Sequence, residues 1–260
     1  MGLATGRWVA RSLVAGAALG AVHAGPALAG LPVVRRVLAP GLSGRGRPDH
    51  VALTFDDGPD PCSTPWFLEA LQRLGWKATF FMLGSMVRRA PSLAAEVVAA
   101  GHEVALHGDL HRSHLGRSPW ALRSDLSRGH TSVAEATGMP PRFYRPPYGV
   151  LTTGTLLATR HLSLRPVLWT TWGRDWTARA TPASVLAEVR ANLSPGATVL
   201  LHDADCTSAP TCWRSALGAL GPLAEECEDR GLLVGPLGEH DLGGGAAGRF
   251  DERPAPGPTR

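Results

Sequence analysis

Val51-Ala52-Leu53-Thr54-Phe55-Asp56-Asp57-Gly58-Pro59 runs five strand-forming or apolar residues into two adjacent carboxylates. Gly58 and Pro59 then end the strand and turn the chain. Paired acids at the end of a buried strand are costly unless something positive sits between or beside them. In a regular strand Asp56 and Asp57 point to opposite faces. Both reach one site only because Gly58-Pro59 breaks the strand there. Asp-Asp-Gly by itself is more often a turn than a site, so its meaning depends on the rest of the chain.

Outward from this strand, strand-like and helical runs alternate between Asp49 and His240. Strands are predicted at residues 51–55, 78–83, 102–106, 142–145, 163–169, 197–201 and 232–234. Helices are predicted at 64–75, 91–100, 119–137, 152–160, 182–193 and 212–230. Thr64-Pro65 and Thr181-Pro182 read as helix starts, and Gly101, Gly138 and Gly231 as stops. A β-α alternation repeated about seven times implies parallel strands covered by helices. In about 190 residues it points to a single-domain α/β fold, an irregular (β/α)7-type barrel (distorted, TIM-like), ahead of an open sheet. Either fold places functional groups at the carboxyl ends of strands.

Composition narrows the function. The net charge of +4 misleads, because residues 1–48 hold six arginines and no acid; without them 20 basic residues face 22 acidic ones. A slightly acidic body argues against a nucleic-acid-binding domain. Residues 1–29 read as a leader: Arg7 and Arg11 precede an Ala/Gly/Val/Leu-rich run, and Ala27-Leu28-Ala29 is a small-x-small cleavage pattern. A cleaved secretory signal is favoured, an uncleaved membrane anchor comes second and a cytosolic chain third. Residues 30–48 read as a linker, 49–240 as the folded domain, and 241–260 as a disordered tail. Cys62, Cys206, Cys212 and Cys227 form no Cys-x-x-Cys pair, which disfavours a cysteine zinc site. In an exported chain Cys206 and Cys212 are spaced to close a small loop, whereas Cys227 reads as a buried apolar residue on a helix.

Five predicted strands end in polar or aromatic groups: Asp56-Asp57; His107-Gly108-Asp109-Leu110-His111; Arg145-Pro146-Pro147-Tyr148-Gly149; Trp172-Gly173-Arg174-Asp175-Trp176; and His202-Asp203. Each alone has an ordinary reading. His107 and His111 are four apart, so one helical turn would aim both at one point, and His111 with His114 offers a competing pair. Two histidines and a carboxylate form a common catalytic zinc set. Arg145 alone suits a surface ion pair, His202 a satisfied core histidine, and Trp172 and Trp176 the core.

The conjunction, in this order, resembles the polysaccharide deacetylases of carbohydrate esterase family 4, the NodB-like deacetylases. The resemblance covers about residues 49–240 and all five family motifs. Thr54-Phe55-Asp56-Asp57-Gly58, Arg145-Pro146-Pro147-Tyr148-Gly149 and Leu200-Leu201-His202 match fully. Gly108 stands where the family has Ser or Thr, whose hydroxyl ties the loop, and Trp172 stands where it has another Asp.

The resemblance implies metal-assisted hydrolysis of an N-acetyl group on an amino sugar, with peptidoglycan or a chitin-like glycan outside the membrane as substrate. It implies Asp57, His107 and His111 as ligands of Zn²⁺ or another divalent ion, in preference to the His111/His114 pair. The metal lowers the pKa of water and polarises the carbonyl. Asp56 is implied as general base, held ionised by Arg145 and low in pKa by Arg145 and the metal together. The Tyr148 backbone N–H is implied as oxyanion donor, and His202 as general acid, kept protonated by Asp175. Trp176, Leu200 and Trp172 are implied as the acetyl pocket. Action on O-acetyl xylan or another amide, and a non-catalytic sugar-binding relative, are the alternatives.

Overall fold

A computed structural model describes residues 17–242. Arg7, Arg11 and residues 243–260 lie outside the described residues. Among the described residues eight strands alternate with helices, except that β5 and β6 follow one another directly. In chain order they are β1 (His50–Asp56), α1 (Thr64–Leu74), β2 (Thr79–Met82), α2 (Gly84–Arg89), α3 (Pro91–Ala99), β3 (Glu103–Leu106) and α4 (Pro119–Thr137). There follow β4 (Phe143–Tyr144), α5 (Thr153–His161), β5 (Arg165–Pro166), β6 (Thr171–Trp172), α6 (Pro182–Asn192), β7 (Thr198–His202), α7 (Trp213–Asp229) and β8 (Leu233–Gly235). The sheet order is β5-β4-β3-β2-β1-β7-β6, and β8 pairs with the first half of β1. Every pairing is parallel, so the chain curls into the expected irregular (β/α)7-type barrel.

Strand alternation divides the core in two. Leu53 and Phe55 of β1, Phe80 and Met82 of β2, and Val199 and Leu201 of β7 pack outward with Phe67, Leu71, Leu126, Val185 and Ala216 of the helices. Completely burying a side chain of this size contributes about 1.5–3 kcal/mol. Alternate residues face inward, where Ala52, Phe81, Ala105, Phe143 and Val167 form a smaller cluster. That face also carries Thr54, Asp56, Leu200 and His202, two residues apart on their strands. Thus β1 and β7, paired with Asp56 opposite His202, aim their last inward groups at one place.

Two expectations change. The predicted strand at 163–169 shrinks to Arg165–Pro166, which pairs with β4, and an unpredicted pair beyond it, Thr171–Trp172, joins β7 on the other edge. The carbonyls between them are taken by arginines. Arg145 donates to Val167 and Leu168, and Arg35 donates to Trp169 at 2.9 Å. The chain therefore crosses from one sheet edge to the other without a ladder of its own. The short helix α2 was not foreseen, because its Gly-Ser start carries no conventional cap.

Residues 30–46 lie along this open seam. Arg35 is buried, the Leu168 N–H donates to Leu42 O at 3.0 Å, and the Gly46 N–H donates to Gly196 O at 3.0 Å. All four cysteines are unpaired, Cys206 and Cys212 included. No single helix among the described residues is long and apolar enough to cross a membrane.

Candidate active site

Asp56 is the last residue of β1 and Asp57 the first beyond it. Asp57 adopts a left-handed backbone, φ 81°. That break turns both carboxylates toward the mouth of the barrel, where a continuing strand would have sent them to opposite faces. Arg145, just after β4, is fully buried. Its Nη1 donates to Asp56 Oδ1 at 2.6 Å and to Thr54 Oγ1 at 2.8 Å, while Nε and Nη2 reach carbonyls. Its guanidinium lies 4.0 Å from the centre of the Phe81 ring. A buried cation is tolerated here because its donors are met. Burial raises the Asp56 pKa to about 6, and Arg145, one of the two cations expected to lower it, opposes that rise without cancelling it. Such a value is nearer the working range of a general base than that of a free carboxylate.

His107 and His111 follow β3, but no helix joins them; residues 107–118 form a loop turned by Gly108 at φ 97°. The Cβ that Ser or Thr would bring at position 108 would be strained at this φ and 3.4 Å from Asp125 Oδ2. The missing hydroxyl is replaced by other ties. The Asp109 N–H donates to Asp125 Oδ2 at 3.0 Å, and the Gly84 N–H to Gly108 O at 2.9 Å. Arg88 and Arg128 hold the Asp109 carboxylate, and Arg117 holds Asp125. His107 Nδ1 donates to Arg145 O at 2.8 Å, which fixes the tautomer and leaves Nε2 for the site. Burial, with His111 and Arg145 nearby, holds the His107 pKa well below its usual value. His114 stands apart, its two ring nitrogens meeting Thr155 Oγ1 at 2.8 Å and Tyr144 OH at 3.3 Å.

His107 Nε2 and His111 Nε2 lie 3.5 Å and 3.6 Å from Asp57 Oδ1. One ligand atom from each of Asp57, His107 and His111 falls within 4.8 Å of the others. Asp57 Oδ1 is buried without a hydrogen-bond partner. A carboxylate oxygen without a partner, faced by two imidazoles of lowered pKa, fits a divalent cation. A cation held by these three side chains would keep positions open for water and substrate.

Across the mouth, His202 ends β7. Its Nδ1 lies 3.0 Å from Asp175 Oδ1, and its backbone N–H donates to Asp175 Oδ2 at 2.7 Å. Burial works against the imidazolium, but Asp175, then Asp57 and Asp56, outweigh it and raise the pKa to about 10. The Trp176 ring meets the His202 ring edge-on at 5.5 Å, Trp172 meets Trp176 at 5.3 Å, and Leu200 sits opposite Trp172 in the ladder. Tyr148, left-handed at φ 59°, sets its ring 4.5 Å from that of His111. All the site residues named from sequence therefore line one mouth. Thr54, Asp125, Arg88 and Arg117 were missed: Thr54 sat inside a matched motif, Asp125 and Arg88 lie on helices and Arg117 in the loop before α4, all without a spacing signal.

Comparison with known proteins agrees with this geometry. The family model of polysaccharide deacetylases matches residues 43–167. A chitooligosaccharide deacetylase of Bradyrhizobium sp. (strain ANU 289) is 35% identical over 195 residues, 72% of this chain and 88% of that protein. A peptidoglycan-N-acetylglucosamine deacetylase of Bacillus cereus is 36% identical over 155 residues, 59% of this chain and 72% of that one. The solved family 4 carbohydrate esterase from Streptomyces lividans, in complex with acetate, is similar at a TM-score of 0.65 and 29% identity, over 72% of this chain and 92% of that one. A CE4 family pseudoenzyme from Bacillus anthracis is similar at a TM-score of 0.69 and 27% identity, over 76% of this chain and 68% of that one. Fold and motif order coincide with sequence likeness across most of the barrel, and the chain belongs to the polysaccharide deacetylases, as a NodB-like deacetylase and hydrolase of carbohydrate esterase family 4.

Proposed function

We propose that this protein removes N-acetyl groups from an amino-sugar polysaccharide, peptidoglycan or chitin-like, and releases acetate with the help of a divalent metal. The observation that carries the reading is the convergence of Asp57, His107 and His111 within 4.8 Å, beside an Asp56 bound to Arg145 and facing a His202–Asp175 pair. Asp57, His107 and His111 would hold the cation, Zn²⁺ on this reading. When bound, it supplies Lewis acidity to water and to the acetamide carbonyl.

The chain's own groups do the rest. Asp56 accepts the proton of the attacking water, with Arg145 fixing its orientation. The Tyr148 backbone N–H donates to the developing oxyanion. His202 gives its Nε2 proton to the departing sugar amine, while Asp175 holds Nδ1. Trp176, Leu200 and Trp172 enclose the acetyl methyl and keep water from it. The named substrates of the relatives support an amino-sugar polymer. They also support an extracytoplasmic or cell-envelope place of action, reached by secretion or by a membrane tether at the N-terminus. N-terminal sequencing of fractionated cells tests this; a full-length cytosolic chain would overturn it.

A solved pseudoenzyme of the same family shows that the fold alone does not decide catalysis. Here the base, the three ligands and the acid–carboxylate pair are all retained. Acetate release from N-acetylglucosamine oligomers, set against acetylated xylan, tests the reading. Release from the oligomers, lost in Asp56→Asn, is expected. Release from xylan alone overturns the amino-sugar assignment, and release from neither overturns the enzyme reading.

A further inference from the structure

The loop between β7 and α7, residues 203–212, lies beyond the Leu200-Leu201-His202 motif, yet it grips both sides of the site. At its start Asp203 Oδ2 accepts a hydrogen bond from Thr64 Oγ1 at 2.5 Å. A Cβ on Gly58 would come within 2.3 Å of that same oxygen, so the turn after Asp57 is packed directly on Asp203. Midway, Cys206 Sγ lies 3.6 Å from Asp57 O, and Thr207 Oγ1 donates to Asp57 Oδ2 at 2.6 Å. Next, the Ala209 N–H donates to Trp176 O at 3.1 Å. The loop is closed on itself by Ser208 N–H to Asp205 O, 3.0 Å, and Thr211 N–H to Asp205 Oδ2, 2.5 Å. One short segment thus touches Asp57, the turn that aims it and Trp176.

The two oxygens of Asp57 are treated differently. Oδ2 is occupied by the Thr207 hydroxyl. Oδ1 is buried, has no hydrogen-bond partner, and faces both imidazoles. A carboxylate free to rotate about its last bond would exchange these oxygens or offer both. Groups that hydrogen-bond to a ligand orient it and tune its affinity for the metal.

We propose that Thr207 is a positioning residue for the metal centre: its hydroxyl locks the Asp57 carboxylate so that Oδ1 alone faces the cation. This rests on Asp57, His107 and His111 being the ligands. Because Thr207 is contributed by the loop after β7, metal affinity depends on a segment about 150 residues beyond the carboxylate it orients. The same segment holds the carbonyl of Trp176, so the loop couples ligand orientation to the pocket wall.

The test is zinc affinity of the full chain, measured by calorimetric titration with zinc alone on wild type, His107→Ala, Thr207→Val and Thr207→Ser. Val keeps the shape of Thr and removes the donor, and Ser keeps the donor. Zinc binding lost in His107→Ala, weakened about 10- to 100-fold in Thr207→Val and restored to within about threefold in Thr207→Ser is the expected pattern. Circular dichroism and thermal midpoints should be alike in wild type and the two Thr207 variants, since the Thr207 position is exposed. Wild-type affinity in Thr207→Val, or equal weakening in Val and Ser, would overturn the proposal and leave the ligand set standing. Unchanged binding in His107→Ala would overturn the ligand set itself. Should Thr207→Val fold poorly, Thr207→Ala against Thr207→Ser gives the same comparison.

Discussion

Both oxygens of Asp175 are committed to His202: Oδ1 lies 3.0 Å from its ring Nδ1, and Oδ2 accepts its backbone N–H at 2.7 Å. The carboxylate thus fixes the ring and the charge together. His202 holds its proton up to about pH 10, so the acid form is present through neutrality and is lost as pH rises through that value. Removing the negative charge lowers that pKa. Asp175→Asn should therefore move the alkaline limb of the activity profile to lower pH while leaving the acid limb in place. An unmoved alkaline limb would take the acid role away from His202.

Asp56 and Arg145 form an ion pair whose side chains are 3% and 0% exposed. Breaking a buried pair from one side leaves an uncompensated charge. Arg145→Met should cost about 3–5 kcal/mol of stability by chemical denaturation. Asp56→Asn should fold, bind zinc in calorimetry and lose turnover by roughly 10²-fold or more. Near-normal turnover in Asp56→Asn would sink the general-base role.

Chelation should abolish acetate release, and added zinc should restore it. His114→Ala should bind zinc like the wild type, because His114 is engaged by Thr155 and Tyr144 away from the ligand triad. Its thermal midpoint should fall instead, since two buried partners lose a hydrogen bond. Metal loss in His114→Ala would transfer the ligand role to the His111/His114 pair.

The loop bearing His107 and His111 is tied by Asp125, which takes the Asp109 N–H and the Arg117 guanidinium. Asp125→Ala should destabilise by about 1–3 kcal/mol, the cost of stranding a buried donor. It should also weaken zinc binding, read by titration below the melting temperature. Wild-type affinity in that variant would show that the loop holds its shape without Asp125.

The sequence by itself determined the order of strands and helices and the rule that chemistry sits at strand ends. Those depend on local signals: apolar runs, helix starts such as Thr64-Pro65 and Thr181-Pro182, and stops at Gly101, Gly138 and Gly231. It also supplied the five motifs, because each is a contiguous stretch. What it could not give were relations across the fold. The resemblance implied Arg145 beside Asp56, but nothing in the sequence announced the Thr207–Asp57 bond, between residues 150 apart. The break of 163–172 into two edge strands depends on Arg35 and Arg145 capturing its carbonyls, which no local pattern announces. The reversal of the expected Asp56 shift has the same origin. The resemblance supplies the cation, but only the packed barrel shows that the carboxylate is stripped of water, and that this desolvation outweighs Arg145.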